Sequence, residues 1–219
     1  MATITDASYF QKGILFISNN IDLSARPEGS PSSQSKLDVF VENCERDLLL
    51  NALGVTLYDE LQVALSDLDN LANAKWKDLV DGTNYTINNK TFRWNGLKGY
   101  NKQSLIAFYT YCQYLRNDEI SYTTVGHIKS TAENGVISEA TPKFIKSWNN
   151  FLKMYQSFYK DSARLIQNGF GEFGLDYSFN GNNIQVSLYQ YLTDANELDV
   201  TAFPDFEFKF YESYNSFGI

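Results

Sequence analysis

The side chains that most often do chemistry are few in this chain, which carries one histidine, His127, and two cysteines, Cys44 and Cys112. A hydrolase that uses a nucleophile and a base needs a serine or cysteine within hydrogen-bonding reach of a histidine. The histidine lies in the segment TVGHIKS, which is typical of a loop, and both cysteines lie in helical apolar patterns, which are typical of reduced, buried thiols. We therefore predict no catalytic residue, and the same side chains make a poor ligand set for zinc.

Two short segments could in principle bind an ion or a phosphate. Residues 66–73, SDLDNLAN, resemble a calcium loop but lack the glycine at the sixth position and the closing glutamate. Residues 169–174, GFGEFG, have neither a preceding strand nor a P-loop lysine. Because spacing alone cannot select a catalytic pair from 26 acidic residues, the sequence predicts no metal site and no other cofactor.

The charge of the chain also excludes some functions. The formal net charge is −8, and a run of basic residues that would neutralise phosphates is missing, so a protein that reads bases is not expected. The apolar run at residues 14–17 is too short for the core of a signal peptide, and no apolar stretch is long enough to span a membrane. We expect no membrane partner.

The elements that would position a site are mostly helical. Residues 24–36, rich in serine, proline and glycine, predict a linker, so residues 1–36 are expected to form an N-terminal arm. Apolar spacing then predicts helices from Leu37 to Gly54, over 56–68, around Trp76, over 102–116 and over 142–168. The helix over 102–116 is apolar on nearly every side, which predicts a central position.

A β-hairpin interrupts this helical pattern at about residues 83–95. Tyr85, Ile87, Phe92 and Trp94 alternate with polar residues around Asn89, a residue type that tolerates a tight turn. The predicted fold is therefore mainly α: a helical bundle with an inserted β-hairpin and extended N- and C-terminal arms that carry short β-strands. The helical core is expected to span 37–169.

The C-terminal arm is expected to span 170–219. Its segments NIQVSLYQYL and FPDFEFKFY alternate with period two, which predicts strands or extended arms rather than helices. Phe206, Phe208 and Phe210 would project to one side of such a strand. We expect either the chain's own domain or a neighbouring subunit to cover them, and strand addition to an exposed sheet edge is the mode that the pattern favours.

Aromatic residues are abundant, with 15 tyrosines, 16 phenylalanines and 3 tryptophans. Many lie in the hairpin and the terminal segments, and aromatic side chains outside a core are typical of contact surfaces. The predicted interface residues are Tyr85, Ile87, Phe92, Phe206, Phe208, Phe210, Tyr211, Tyr214 and Phe217.

The order of these features resembles that of a known family. The segments VFVENCERDLLLNALGVTLYDEL, KWKDLVDGTNYT, RWNGLKGYNKQSLIAFYTYCQYL, TTVGHIKSTAENG and PKFIKSWNNFL are similar to the head-to-tail connector (adaptor ring) proteins of tailed bacteriophages, in particular of Bacteroides-infecting, crAss-like phages. The resemblance extends over roughly residues 37–169. Segment by segment, it marks Trp76, Gly82, Trp94, Gly96 and Leu97 as fold-defining, and we expect the same of the apolar Trp148.

The resemblance implies a structural virion protein in the neck below the portal, assembled in the cytoplasm of the bacterial host. Such subunits form a homo-oligomeric ring, commonly a dodecamer, that contacts the portal protein and other neck and tail proteins. Genomic DNA would pass through the ring without sequence-specific binding, past an acidic wall that does not grip phosphates. The alternative function is a glycan-binding or lytic tail-associated enzyme whose exposed aromatic rings stack on sugars.

Overall fold

The computed structural model describes residues 2–17, 33–87, 89–118, 121–123, 126–128, 140–157 and 184–213. Within them the chain is mainly helical and contains an antiparallel β-hairpin, as the sequence predicts. The helices are α1 Ser33–Ala64, α2 Ala74–Asp81, α3 Leu105–Asp118, α4 Ala140–Gln156 and α5 Leu188–Leu198. The strands are β1 Thr83–Ile87, β2 Lys90–Trp94, β3 Ser121–Thr123, β4 Gly126–Ile128 and β5 Ile184–Gln185.

Helix α1 consists of two helical parts that meet at Gly54. This glycine has φ 78° and ψ 173°, a conformation that residues with a Cβ rarely adopt. The predicted boundary between two helices is therefore confirmed, although the second part ends at Ala64 and not near residue 68. The apolar faces predicted from spacing, including Leu48 before the kink and Leu61 after it, are fully buried.

Helices α3 and α4 pack against each other, and α3 also packs against α1. The predicted central helix is confirmed, because Leu105, Ile106 and Cys112 are completely buried. It begins three residues later than predicted, since Asn101 and Lys102 both have positive φ and the hydroxyl of Ser104 accepts a hydrogen bond from Ala107 N at 3.0 Å. Helix α4 begins at Ala140, two residues before the predicted start at residue 142. The predicted continuation beyond residue 157 lies outside the described residues.

Strands β1 and β2 form the predicted hairpin, with Thr83 opposite Trp94 and Ile87 opposite Lys90. Asn89 has φ 62°, which confirms its role in the turn. Gly82 and Gly96 let the two chain segments at the base of the hairpin lie close together. A Cβ on Gly96 would lie 2.6 Å from the backbone of residues 80–82, and a Cβ on Gly82 would lie 2.6 Å from Trp94 O. Main-chain hydrogen bonds from Leu97 N and Lys98 N to the end of α2 lie beside this contact.

The prediction of a strand over residues 183–192 is wrong beyond Gln185. Strand β5 pairs in parallel with β2, as Phe92 lies opposite Ile184, but helix α5 follows at Leu188. The hydroxyl of Ser187 caps this helix by accepting from Gln190 N at 3.2 Å. Leu188, Tyr191 and Leu192 have the spacing of a buried helical face as well as that of a strand, so local pattern does not separate the two.

Residues 2–17 pack on the helical core instead of extending from it as the predicted arm. Ile4, Phe10 and Leu15 are buried, and the carboxylate of Glu45 on α1 accepts from Ile4 N at 2.8 Å and from Thr5 N at 2.9 Å. These contacts make residues 2–17 part of the folded core, whereas the sequence predicts an N-terminal arm. The linker predicted at 24–36 is described only from residue 33, as the first turn of α1.

Residues 126–128 of the segment TVGHIKS, which the sequence predicts to be a loop, form strand β4 and pair antiparallel with β3. His127 lies in β4, opposite Tyr122. Its neighbours 129–139 lie outside the described residues.

Candidate interaction surfaces

Residues 203–213, here called the C-terminal segment, lie against α1, α4 and α5 of the same chain. Phe203 begins it and is 1% exposed, with its ring 5.4 Å from that of Trp76 between centroids. The side-chain amide of Asn196 accepts from Phe203 N at 2.7 Å and donates to Phe203 O at 2.6 Å. The segment therefore starts from a fixed point at the end of α5.

The rest of the C-terminal segment forms no strand and binds the helices through its main chain. Lys209 N donates to Asn51 O on α1 at 2.8 Å, close to the kink at Gly54. The Gln156 side chain donates to Tyr211 O at 2.7 Å and accepts from Tyr211 N at 2.8 Å. The indole of Trp148 donates to the next carbonyl, that of Glu212, at 2.8 Å. These groups of α1 and α4 take the place of the sheet edge that the sequence led us to expect.

Tyr211 anchors the segment in an aromatic cluster formed by α3 and α4. Its ring centroid lies 5.3–6.0 Å from those of four other rings, which are Tyr109, Trp148, Phe151 and Tyr155. Burial raises the pKa of the Tyr211 phenol, so the hydroxyl stays a neutral partner for Asn51 Nδ2 at 3.1 Å. This part of the predicted interface is thus covered by the chain itself.

Phe206, Phe208 and Phe210 form an aromatic ladder with Tyr189 of α5. Consecutive phenylalanine rings are 6.3 and 5.2 Å apart between centroids, and Tyr189 contacts all three. Phe206 and Phe208 are partly buried against the core, whereas Phe210 is 42% exposed. Although the segment is not the predicted strand, the three rings share Tyr189 as a neighbour, and the ladder leaves Phe210 at the surface.

The hairpin turns its aromatic face toward α5. Phe92 is 7% exposed, and Tyr85 stacks on it at 5.6 Å and donates its hydroxyl proton to Asp194 Oδ2 at 2.6 Å. Ile87 is partly buried against the core. The structure therefore gives these three predicted interface residues partners within the chain.

Most of the residues predicted to define the fold are in the interior, and Gly82 is partly buried. Trp76, Trp94 and Trp148 are each 3% exposed, Leu97 is completely buried, and the Trp94 indole donates to Leu79 O at 2.8 Å. Gly82, with φ 93°, and Gly96, with φ 79°, contact each other's backbone. Tyr214 and Phe217 lie outside the described residues, and so do the neighbours of His127 at 124 and 125.

A concave cleft lies between the loop after β2, helix α4 and strand β5. Its volume is about 760 Å³, within the range of pockets that bind small ligands or peptide segments. Its described lining contains two cations, Arg93 and Lys153, and no carboxylate. It also contains the exposed ring of Tyr100 and five amide side chains, namely Asn95, Asn101, Gln103, Asn150 and Gln185.

The polar side chains of this cleft have few partners in the described structure. Arg93 and Lys153 make no ion pair there. Sequence reasoning missed the cleft, because its lining comes from segments as far apart as Ile14 and Val186. No local spacing could have indicated it.

The described part of the chain offers neither a reactive thiol nor a cluster of metal ligands. Cys44 and Cys112 are free and buried, and burial raises the pKa of each thiol to about 12. No group of three or more histidine, cysteine or acidic side chains in this part of the chain could bind a metal ion. None of the described helices is long and apolar enough to cross a membrane.

No protein-family model matches the chain, and comparisons with curated proteins and with solved structures found no match.

Proposed function

We propose that this chain is a structural subunit of the head-to-tail connector of a tailed bacteriophage, where it forms a homo-oligomeric ring below the portal. The supporting sequence observation is the order of helices and hairpin that resembles adaptor ring proteins. The supporting structural observation, which carries most weight, is the aromatic ladder, because it fixes a row of rings on a helical core and leaves Phe210 at the surface. Aromatic side chains fixed in this way are typical of protein interfaces.

In this proposal the chain contacts the portal protein and other neck and tail proteins, and it is found in the virion after assembly in the host cytoplasm. The ring, a dodecamer by resemblance, surrounds the path of the genomic DNA. A subunit with a net charge of −8 repels phosphates, so DNA passes without sequence-specific binding. The finer architecture, with extended arms and short strands that contact neighbours, belongs to the same proposal.

The native mass of the purified full chain tests the proposal, alone and mixed with the portal protein of the phage. We expect a closed oligomer or a stable complex on the portal, and density for the chain in the neck of particles. Phe210→Ala should weaken the complex with the portal protein more than it lowers the urea midpoint, because this ring is 42% exposed but also contacts Phe208 and Tyr189. Leu71→Ala is the control, because Leu71 begins the short 3-10 helix between α1 and α2 and its side chain is 92% exposed, and this variant should bind the portal normally.

A monomer that fails to bind the portal and is absent from particles would contradict the connector function. The amide side chains and the exposed Tyr100 ring of the cleft favour the second candidate, a glycan-binding module. In that case the chain should bind peptidoglycan fragments, Tyr100→Ala should weaken the binding, and a lytic activity would clear a peptidoglycan gel. The connector proposal predicts neither effect.

A further inference from the structure

A turn at the end of α5 has the opposite character to the cleft. Residues 197–201, here called the acidic turn, include the exposed carboxylates of Glu197 and Asp199. Between and beside them are two large apolar side chains, Leu198 at 58% and Val200 at 77% exposure. A single exposed aliphatic residue is ordinary. Two such side chains beside two carboxylates form an exposed apolar patch with an acidic rim, which is typical of a protein contact.

The acidic turn is rigid as well as exposed. Asp199 Oδ1 accepts from Thr201 N at 2.9 Å and from Thr201 Oγ1 at 2.7 Å. Asp199 N donates to Ala195 O at 2.8 Å. Hydrogen bonds between the Asn196 side chain, which precedes the turn, and the main chain of Phe203, which follows it, hold the two ends of the turn together. A turn that is already ordered loses little conformational freedom on binding.

The cleft and the acidic turn lie at opposite ends of one helix. Gln185 and Val186 of the cleft immediately precede the N-cap Ser187, and the acidic turn begins with Glu197 and Leu198, the last two residues of the helix. The 11 residues of α5 separate the two by roughly 16 Å at 1.5 Å per residue. The turn therefore cannot occupy the cleft of its own chain.

We infer that the acidic turn of one copy of this chain binds in the cleft of the next copy. The cations Arg93 and Lys153 face the carboxylates of the turn, and the apolar lining, which includes Met154 and Val186, receives Leu198 and Val200. Because the two surfaces differ, the contact is head-to-tail, and repeated head-to-tail contacts close into a ring or extend as a filament. This inference rests on the proposed function and names the surfaces through which the ring forms.

Sedimentation velocity of the full chain and of two variants tests the contact. The cleft variant carries Arg93→Glu with Lys153→Glu, and its control carries Lys143→Glu with Lys146→Glu, two exposed lysines of α4 that give the same change in charge. The turn variant carries Leu198→Ser with Val200→Ser. We expect the cleft and turn variants each to associate at least about tenfold more weakly than the wild-type chain, while the control is unchanged and all keep the same helical circular dichroism.

Mixing the two variants gives a sharper result. The cleft variant keeps an intact turn and the turn variant keeps an intact cleft, so an equimolar mixture should form one-to-one dimers and nothing larger. An absence of these dimers, a cleft variant that behaves like its control, or a wild-type chain that stays monomeric would each overturn the inference. If the chain is nevertheless present in virion necks, the connector function stands; if it associates through these surfaces but is absent from virions, only the proposed function fails.

Discussion

The Glu45 carboxylate is predicted to determine whether the N-terminal segment stays on the core. It is 3% exposed and accepts three hydrogen bonds, from Ile4 N, from Thr5 N and from the Thr5 hydroxyl at 2.7 Å. In Glu45→Gln the new amide group can accept through one oxygen only, and its N–H directions face backbone N–H donors. At least one buried donor is then left without an acceptor.

An unsatisfied buried donor costs about 1–3 kcal/mol, and each hydrogen bond that is lost adds about 0.5–1.5 kcal/mol. We therefore expect Glu45→Gln to lower the free energy of unfolding by about 2–4 kcal/mol. Urea unfolding followed by tryptophan fluorescence measures this value. Glu197→Gln, the same chemical change at an exposed position, is the control and should stay within about 0.5 kcal/mol of the wild-type chain.

The effect should also depend on pH. Burial raises the pKa of the Glu45 carboxyl above its usual value, and the hydrogen bonds from Ile4 and Thr5 offset this only in part. A raised pKa in the folded state means that the stabilising contribution is complete below the usual carboxyl pKa and is lost as pH rises through the folded pKa. The difference in stability between wild type and Glu45→Gln should therefore shrink as pH rises above about 4.5.

Hydrogen exchange separates a local effect from a global one. In Glu45→Gln the amides of Ile4 and Thr5 should exchange faster than those of buried α3 residues. The reasoning is refuted if the unfolding free energy equals that of Glu197→Gln and the exchange of these two amides is unchanged.

Three further predictions concern other parts of the core. Gly96→Ala should cost more than about 3 kcal/mol and abolish the cooperative thermal transition, because its Cβ would meet backbone at 2.6 Å. Gly13→Ala is the control: a Cβ there would have no atom within 4 Å, so this change should cost only the roughly 1–2 kcal/mol of its positive φ. Equal melting temperatures for the two variants would contradict this. Gln156→Leu should lose about 1–3 kcal/mol in urea unfolding, since both hydrogen bonds to Tyr211 disappear, and an unchanged urea midpoint would show that these bonds contribute nothing. Cys44 and Cys112, with pKa values of about 12, should react with iodoacetamide at pH 8 about 1,000-fold more slowly than a free thiol, and rapid labelling of the native chain would contradict their burial.

Features that depend on a few neighbouring residues could be predicted from the sequence. Asn89 marks the hairpin turn and Gly54 marks the helix boundary because each residue type permits a positive φ that others avoid. The buried face of α3 was predictable for the same local reason, since its apolar residues leave no side for water.

Features that depend on distant residues could not be predicted. Glu45 looks like a solvent-facing helical residue until Ile4, 41 positions earlier, donates to it. The apolar residues of α5 fit the spacing of a helix as well as that of a strand. The helix forms because β5 ends at Gln185 and Ser187 then caps the N-terminus of α5. The C-terminal segment was expected to pair with a sheet edge. Instead, the side-chain amide of Gln156 donates to Tyr211 O and accepts from Tyr211 N, as a neighbouring strand would.

The two ends of the described chain meet on α1, which has a consequence for folding during synthesis. Glu45 binds the N-terminal segment early, but Asn51, less than two turns further on, binds Tyr211, which is 160 positions later. A ribosome adds about 5–20 residues per second, so the surface around Gly54 stays uncovered for roughly ten seconds or more after α1 emerges. A circular permutant that places residues 203–213 ahead of α1 would shorten that interval. We expect it to keep the native fold and to give a higher yield of soluble protein.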